Sequence, residues 1–311
     1  MGDSCAPLVE QPYLVVAGPT AVGKSAVAIE LAERLEGEIV IADSRQVYKG
    51  IEIGTAKPSA AERRRTRHHL LGIVELGTLY TAADFARDAR AAVADIQARG
   101  RTAVVCGGTG FYLAALAGAL DPLAEEPSAA ARAAARARVG AIPRADRHAA
   151  LARVDPRSAR RLHPHDRRRV ERALEVYFLT GRSLAALQSG GGQILPHLEF
   201  RLTRPRAELR ARIEERLAAM LEAGLEAEAR ALWEVGWTPC DPGIDTIGIQ
   251  EWWPHFGGER DREATVEAIL TATTRYAKRQ ETWFRHQGDY DPVPAEGATA
   301  AILAAWMEKV R

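Results

Sequence analysis

The residues Gly18-Pro19-Thr20-Ala21-Val22-Gly23-Lys24-Ser25 carry the most specific chemistry in the chain. They follow an apolar run, Leu14-Val15-Val16-Ala17, and open a helical pattern over 25–35. Strand, glycine loop and helix start in that order match G-x-x-x-x-G-K-[ST], the phosphate loop. The physics is anion capture. The glycines let backbone N–H groups turn inward, the helix N-terminus adds partial positive charge, and Lys24 adds a full one. Ser25 offers its hydroxyl to a divalent metal bridging two phosphates. The loop therefore holds a diphosphate or triphosphate without saying which molecule carries it. Asp43, placed just after the apolar Ile39-Val40-Ile41-Ala42, is the second candidate. A carboxylate at a strand end beside a bound diphosphate serves equally as a metal holder or as a general base. On residue chemistry alone, a kinase and a transferase with a diphosphate leaving group both stay open.

These groups need a scaffold that brings them to one place. Continuous apolar runs predict strands over 14–18, 38–42 and 102–106, the last ending in Gly107-Gly108-Thr109. Runs of this kind suit a parallel sheet covered on both faces. Helical patterns over 25–35 and 82–98 separate them, giving a doubly wound α/β core of the P-loop NTPase-like type. Ligands in such sheets sit at the carboxyl ends of the strands, so the Gly18 loop, Asp43 and the hydroxyl of Thr109 are expected to line one crevice. After Gly118 the character changes. Asp121-Pro122 and Glu126-Pro127-Ser128 mark a turn, an Ala/Arg-rich helical region with a helix over 167–180 follows, and Ser189-Gly190-Gly191-Gly192 closes it like a hinge. A fourth strand is expected over 199–203, then helices over 207–223, 225–235, 262–284 and 298–310. The expected organisation is a catalytic core of residues 1–120 and 198–311, interrupted by a helical insertion domain at 121–197.

The 311 residues carry a net charge of only +1, with 47% hydrophobic and 27% charged residues. The average hides an asymmetry. From Ser128 to Arg172, 13 arginines face four acidic residues, a local +9 that leaves −8 for the rest of the chain. Such a block suggests a polyanionic partner, although a solvated arginine-rich face would look the same. Cys5, Cys106 and Cys240 are odd in number and widely spaced, which fits neither a disulfide framework nor a zinc site. His163 and His165 have no clustered third ligand in the sequence. No apolar run spans a membrane and no secretory signal is visible, so a cytoplasmic protein is expected, a monomer with no obligate protein partner.

A longer pattern goes further than the loop. Asp43-Ser44-Arg45-Gln46-Val47-Tyr48-Lys49-Gly50 and Ile53-Gly54-Thr55-Ala56-Lys57-Pro58 resemble the signature of the tRNA dimethylallyltransferases, or tRNA isopentenyltransferases. In the same order come His68-His69-Leu70-Leu71, Ala83-Asp84-Phe85, Gly107-Gly108-Thr109-Gly110-Phe111-Tyr112, Arg212-Ile213-Glu214-Glu215-Arg216, Ala277-Lys278-Arg279-Gln280 and Thr282-Trp283-Phe284-Arg285. The resemblance runs from about residue 12 to 286.

The resemblance implies transfer of a dimethylallyl group from dimethylallyl diphosphate to N6 of the adenine 3′ of a tRNA anticodon. The phosphate loop would then hold pyrophosphate rather than hydrolyse ATP, with Mg²⁺ near Ser25. Matching positions make Asp43 the base and place Thr109 near the target adenine. Gly18 to Ser25 and Arg212 contact the diphosphate. The tRNA contacts fall on Asp43, Ser44, Arg45, Gln46 and Thr109, on His165, Asp166, Arg167, Arg168 and Arg169, and on Asp245, Thr246, Ile247, Gly248, Ile249 and Gln250. Arg132 is the nearest match to an insertion arginine of the family. The basic insertion would grip the phosphates of the anticodon stem. Many members read Gly-Tyr-Lys/Arg where this chain has Gly248-Ile249-Gln250. Competing readings are an adenylate dimethylallyltransferase, which needs no tRNA grip, a small-metabolite kinase, and a non-catalytic RNA-binding protein.

Overall fold

The computed structural model describes residues 11–119, 128–187 and 195–310. Cys5, the turn at Asp121-Pro122 and Glu126-Pro127, and the hinge at Ser189-Gly190-Gly191-Gly192 lie outside the described residues. The chain divides into two compact units, Met1–Leu116 with Leu195–Arg311, and Ala117–Ile194.

The first unit is built on six strands: β1 Tyr13–Ala17, β2 Glu38–Ile41, β3 His68–His69, β4 Ala103–Gly107, β5 His197–Thr203 and β6 Asp291–Pro294. Their order is β3-β2-β4-β1-β5-β6 and every neighbouring pair is parallel. The fold class is therefore α/β with a P-loop-like parallel sheet. One layer of side chains, Leu14, Val16, Ile39, Ile41, Val104 and Phe200, packs with Val27 and Leu31 of the helix Lys24–Arg34 and with Ile302 and Trp306 of the helix Ala298–Val310. The helix Ala82–Ala98 packs on β2 and β4 and buries Phe85, Ala89, Val93 and Ile96. Burial on both faces is why these strands read as unbroken apolar runs rather than alternating ones.

The register decides where the chemistry lands. Ala17 pairs with Gly107 and Ile41 with Cys106, so β1, β2 and β4 end level. The chain leaves those ends as Gly18, Ala42-Asp43 and Gly108-Thr109 on one edge of the sheet. Gly107 permits the closeness, because a Cβ there would lie 2.0 Å from the Ala42 carbonyl oxygen.

Two strands escaped the sequence reading. β3 is two histidines with no apolar run. β6 is Asp-Pro-Val-Pro, whose prolines argue against a central strand but are tolerated at the outer edge, where no further partner needs their missing N–H. The expected fourth strand begins earlier, at His197, and pairs with β1.

At the opposite end of the sheet, Glu38 is 3% exposed. Its carboxylate accepts from Arg99 Nη2 at 2.9 Å and pairs with His69 Nε2 at 2.6 Å. Arg99, then His69, hold the carboxyl at about 2 against the usual 4.5, working against the cost of burial. A depressed carboxylate stabilises the fold above pH 4.5, and that contribution is lost as pH falls towards 2. Glu38→Gln is expected to cost about 2 kcal/mol near neutrality, with the gap to wild type closing in denaturant melts below pH 3.

The second unit contains the helices Ala129–Gly140, Arg147–Val154, Pro156–Arg161, Arg167–Thr180 and Leu184–Leu187. Its core is Val139, Leu151, Ala159, Val170, Ala173 and Leu174. Two of the arginines are structural. Arg147 pairs with Glu171, and Arg138 lies 4.2 Å over the ring of Phe178.

Candidate active site

The phosphate loop has the backbone that anion capture requires. Gly18 (φ +144°), Ala21 (+63°) and Gly23 (+114°) turn successive amides to one side. Gly18 also lets the loop pass β5, since a Cβ there would meet the Leu202 carbonyl oxygen at 3.0 Å. Gly23 is the N-cap of the helix Lys24–Arg34, and no side chain caps that end. The first-turn amides, including that of Ser25, lack intrahelical partners and suit an anion. The Ser25 side chain is exposed.

Lys24, Arg212 and Arg216 stand at the loop, and Arg204 Nε also donates to its Val22 carbonyl at 3.4 Å. Lys24 Nζ curls back to donate to the Pro19 carbonyl at 2.8 Å. From the helix Arg206–Glu222, Arg212 Nε donates to the Ala21 carbonyl at 2.8 Å, and Arg216 Nη2 donates to Thr20 Oγ1 at 2.8 Å. Burial pushes the Lys24 ammonium down to about 8, with Arg216 adding a smaller push, while Cys106 and Asp43 oppose it. Burial also lowers Arg216, again opposed by Asp43 and reinforced by Arg212. Positive groups that depress one another mark a place where an anion belongs. Arg216 closes the family-like motif Arg212-Ile213-Glu214-Glu215-Arg216. Its spacing of four from Arg212, on one helix face, was the available signal.

Asp43 stands among these groups. Its Oδ1 accepts the amides of Arg45 at 2.8 Å and Gln46 at 3.3 Å, which fixes the carboxylate at the end of β2. Its charge acts on Lys24, Arg45, Cys106, Tyr112, Arg216 and Tyr276. Thr109 precedes the helix Gly110–Ala114 but caps nothing with its side chain. Instead Thr109 Oγ1 accepts the Ser44 amide at 3.1 Å, tying the end of β4 to the loop after β2. Tyr276 comes from the helix Arg262–His286, and burial, then the charge of Asp43, raises its phenol to about 12. From the same helix Gln280 reaches the loop. Its Oε1 accepts the Thr20 amide at 2.8 Å and its Nε2 donates to the Gly108 carbonyl at 2.8 Å. Sequence reasoning missed Tyr276 and Gln280 as site residues, although their spacing of four places both on one helix face.

The remaining expected tRNA contacts divide into two groups. Arg45 and Asp245 pair with each other, Nη2 to Oδ2 at 3.0 Å. Gln46 Nε2 donates to the carbonyls of Thr55 and Ala56, both at 3.1 Å. Thr246 is buried and its hydroxyl donates to Gly243 at 2.6 Å. Ile249 needs correction: it is 0% exposed, packed with Ile51, Leu217 and Trp252, and its side chain fills the space a Cβ on Gly54 would occupy. In this conformation it is core and presents no side chain to a ligand. Ile247 and Gln250 are half-buried, and Gly248 is buried with φ +96°. Glu228, unnoticed in the sequence, braces the neighbouring loop by accepting the amides of Glu52, Ile53 and Gly54 at 2.7, 3.0 and 2.7 Å.

In the second unit Asp166 is the N-cap of Arg167–Thr180, with its side chain accepting from the Arg169 amide. Its role there is capping. His165, Arg167, Arg168 and Arg169 are exposed. Arg132 is half-buried on Ala129–Gly140.

Comparison with known proteins gives the family of the chain. The IPP transferase family profile matches residues 46–287. The tRNA dimethylallyltransferase of Halorhodospira halophila is 47% identical over 284 residues, 89% of this chain and 91% of its own. That of Geobacter metallireducens is 42% identical over 304 residues, covering 94% and 96%. Among solved structures, the tRNA isopentenylpyrophosphate transferase of Bacillus halodurans superposes with a TM-score of 0.70 at 32% identity, over 96% of this chain and 98% of that one. A eukaryotic dimethylallyltransferase described as acting on tRNA gives 0.79 at 29% identity, over 94% and 77%. A sheet edge that gathers a phosphate loop, a carboxylate and three cations thus sits in a chain that belongs to the IPP transferase family, the family of the tRNA dimethylallyltransferases.

Proposed function

We propose that this chain transfers the dimethylallyl group of dimethylallyl diphosphate to N6 of the adenine 3′ of the anticodon in tRNA and releases diphosphate. The observation that carries this reading is Asp43 held beside an uncapped phosphate loop ringed by Lys24, Arg212 and Arg216. N6 bonds to C1 of the dimethylallyl group as the C1–O bond to diphosphate breaks, and the N6 proton passes to Asp43. The adenine amine is a weak nucleophile because its lone pair is delocalised into the ring, so a base helps as the bond forms. Negative charge grows on the departing diphosphate, where loop amides and the three cations stabilise it. Thr109 is tied beside Asp43 and would touch the target base.

Mg²⁺ fits the donor set. An exposed Ser25 hydroxyl in the first helical turn, with diphosphate oxygens and water, matches the few protein ligands Mg²⁺ takes. When bound it would neutralise leaving-group charge. The target adenine must leave the anticodon stack to reach Asp43. His165 and Arg167 to Arg169, on the exposed start of an insertion helix, would hold stem phosphates. Among the described residues no helix is long and apolar enough to cross a membrane, and a cytoplasmic tRNA enzyme is the proposed setting.

The test mixes the protein, Mg²⁺, radiolabelled dimethylallyl diphosphate and an unmodified tRNA with adenine 3′ of its anticodon. Parallel tubes carry AMP in place of tRNA, or ATP in place of the prenyl donor. Label on tRNA alone is the expected result. Label on AMP would select the adenylate enzyme, and ATP consumption without transfer would select a kinase.

A further inference from the structure

The two ends of the phosphate loop differ. At the helix end, Gly23, Lys24 and Ser25 present amides that no side chain caps. At the other end, Pro19 and Thr20 are already engaged by protein groups. The Pro19 carbonyl accepts from Lys24, and the Thr20 hydroxyl accepts from Arg216. The Thr20 amide donates at 2.8 Å to Oε1 of Gln280, a side chain 6% exposed and anchored by its Nε2 to the Gly108 carbonyl. The anchor is built in. A Cβ at residue 108 would lie 2.4 Å from Gln280 Nε2, so glycine there is what lets the amide group reach both Thr20 and Gly108.

A phosphate chain seated on the uncapped helix end and continuing along the loop would bring only its outermost group to the Thr20 amide. In loops of this type the backbone amides are the phosphate donors, and each is worth most when its acceptor is charged. We propose that Gln280 is a specificity residue that limits this loop to two phosphates, by occupying the amide a third phosphate would use. The proposal rests on the diphosphate reading given above. It explains how a loop matching that of triphosphate-binding proteins favours a prenyl diphosphate over the ATP that surrounds it.

Calorimetry with the full chain and Mg²⁺ compares inorganic pyrophosphate with tripolyphosphate. Wild type is expected to bind pyrophosphate at least about tenfold more tightly, despite the greater charge of tripolyphosphate. Gln280→Met keeps the bulk but can neither accept from Thr20 nor donate to Gly108. It is expected to bring the two ligands within about threefold of each other, mainly through gained tripolyphosphate affinity. Gln280→Glu keeps an acceptor for the Thr20 amide and should keep the preference while weakening both ligands by charge. A thermal melt accompanies each variant. A merely structural glutamine would weaken both ligands in step, and that result in a folded Gln280→Met protein overturns the proposal. So does a wild type that binds tripolyphosphate as well as pyrophosphate, whatever the variants do. A wild type that binds neither ligand would instead remove the diphosphate reading itself.

Discussion

Asp43→Asn is expected to lower single-turnover prenyl transfer about 10³-fold while leaving dimethylallyl diphosphate bound at least as tightly as before. The substitution isolates the charge. Asparagine keeps an oxygen for the amides of Arg45 and Gln46, so the end of β2 should hold its shape. What disappears is the proton acceptor for N6, a group whose typical contribution lies in the range of about 10² to 10⁴. The direction of the binding change separates base from metal holder. Asp43 is a countercharge to Lys24 and Arg216. Removing it leaves those cations less satisfied and a bound diphosphate more welcome. Were Asp43 chiefly a ligand of Mg²⁺, the same change would weaken diphosphate binding and part of the loss would return at high Mg²⁺. Transfer within tenfold of wild type would take Asp43 out of the base role.

The parts of the molecule that were legible in the sequence share one property: their meaning is local. Gly18 to Ser25 declare their backbone by type and spacing, and β1, β2 and β4 declare burial on both faces by unbroken apolar runs. β3 and β6 could not be seen because pairing at an edge asks nothing of two histidines or of a proline pair. The illegible parts of the site are residues whose roles come from where a distant helix lies. Gln280 reads as an ordinary polar position until the helix Arg262–His286 sets it 2.8 Å from Thr20, 260 residues away in sequence. Tyr276 and Arg216 are the same case, each one turn from a residue that also faces the site. Ile249 is the reverse. It stands where the family often has an aromatic residue, yet here it fills the space beside Gly54 and packs in one core cluster with Trp252. A side chain chosen for packing gives no sign of that in the sequence when its partners, Ile51, Gly54 and Leu217, lie far along the chain.

Lys24→Ala should reduce kcat/KM for dimethylallyl diphosphate by about 10² to 10³, and Arg216→Ala by about 10². Arg212→Ala should cost less, because Arg212 is exposed and its charge is screened. The pH dependence follows from the direction of the lysine shift. With the folded ammonium near 8 and the unfolded one at the usual 10.5, the ligand-free fold bears the cost of charging Lys24 below pH 8. That cost is relieved as pH rises from 8 towards 10.5, so on this account the free protein gains stability across the window. Diphosphate binding does the opposite. A diphosphate beside Lys24 restores its proton, so above pH 8 binding must take up a proton and affinity must fall by up to about tenfold per pH unit. Calorimetry at pH 9 in two buffers of different ionisation enthalpy reads the uptake directly. Lys24→Arg, charged throughout, should bind without it and with a flatter pH profile, although its planar head cannot reproduce the point contact of an ammonium. Proton uptake that persists unchanged in Lys24→Arg would assign the titration to another group, and the cluster of cations would then hold diphosphate without the lysine acting as its proton-linked member.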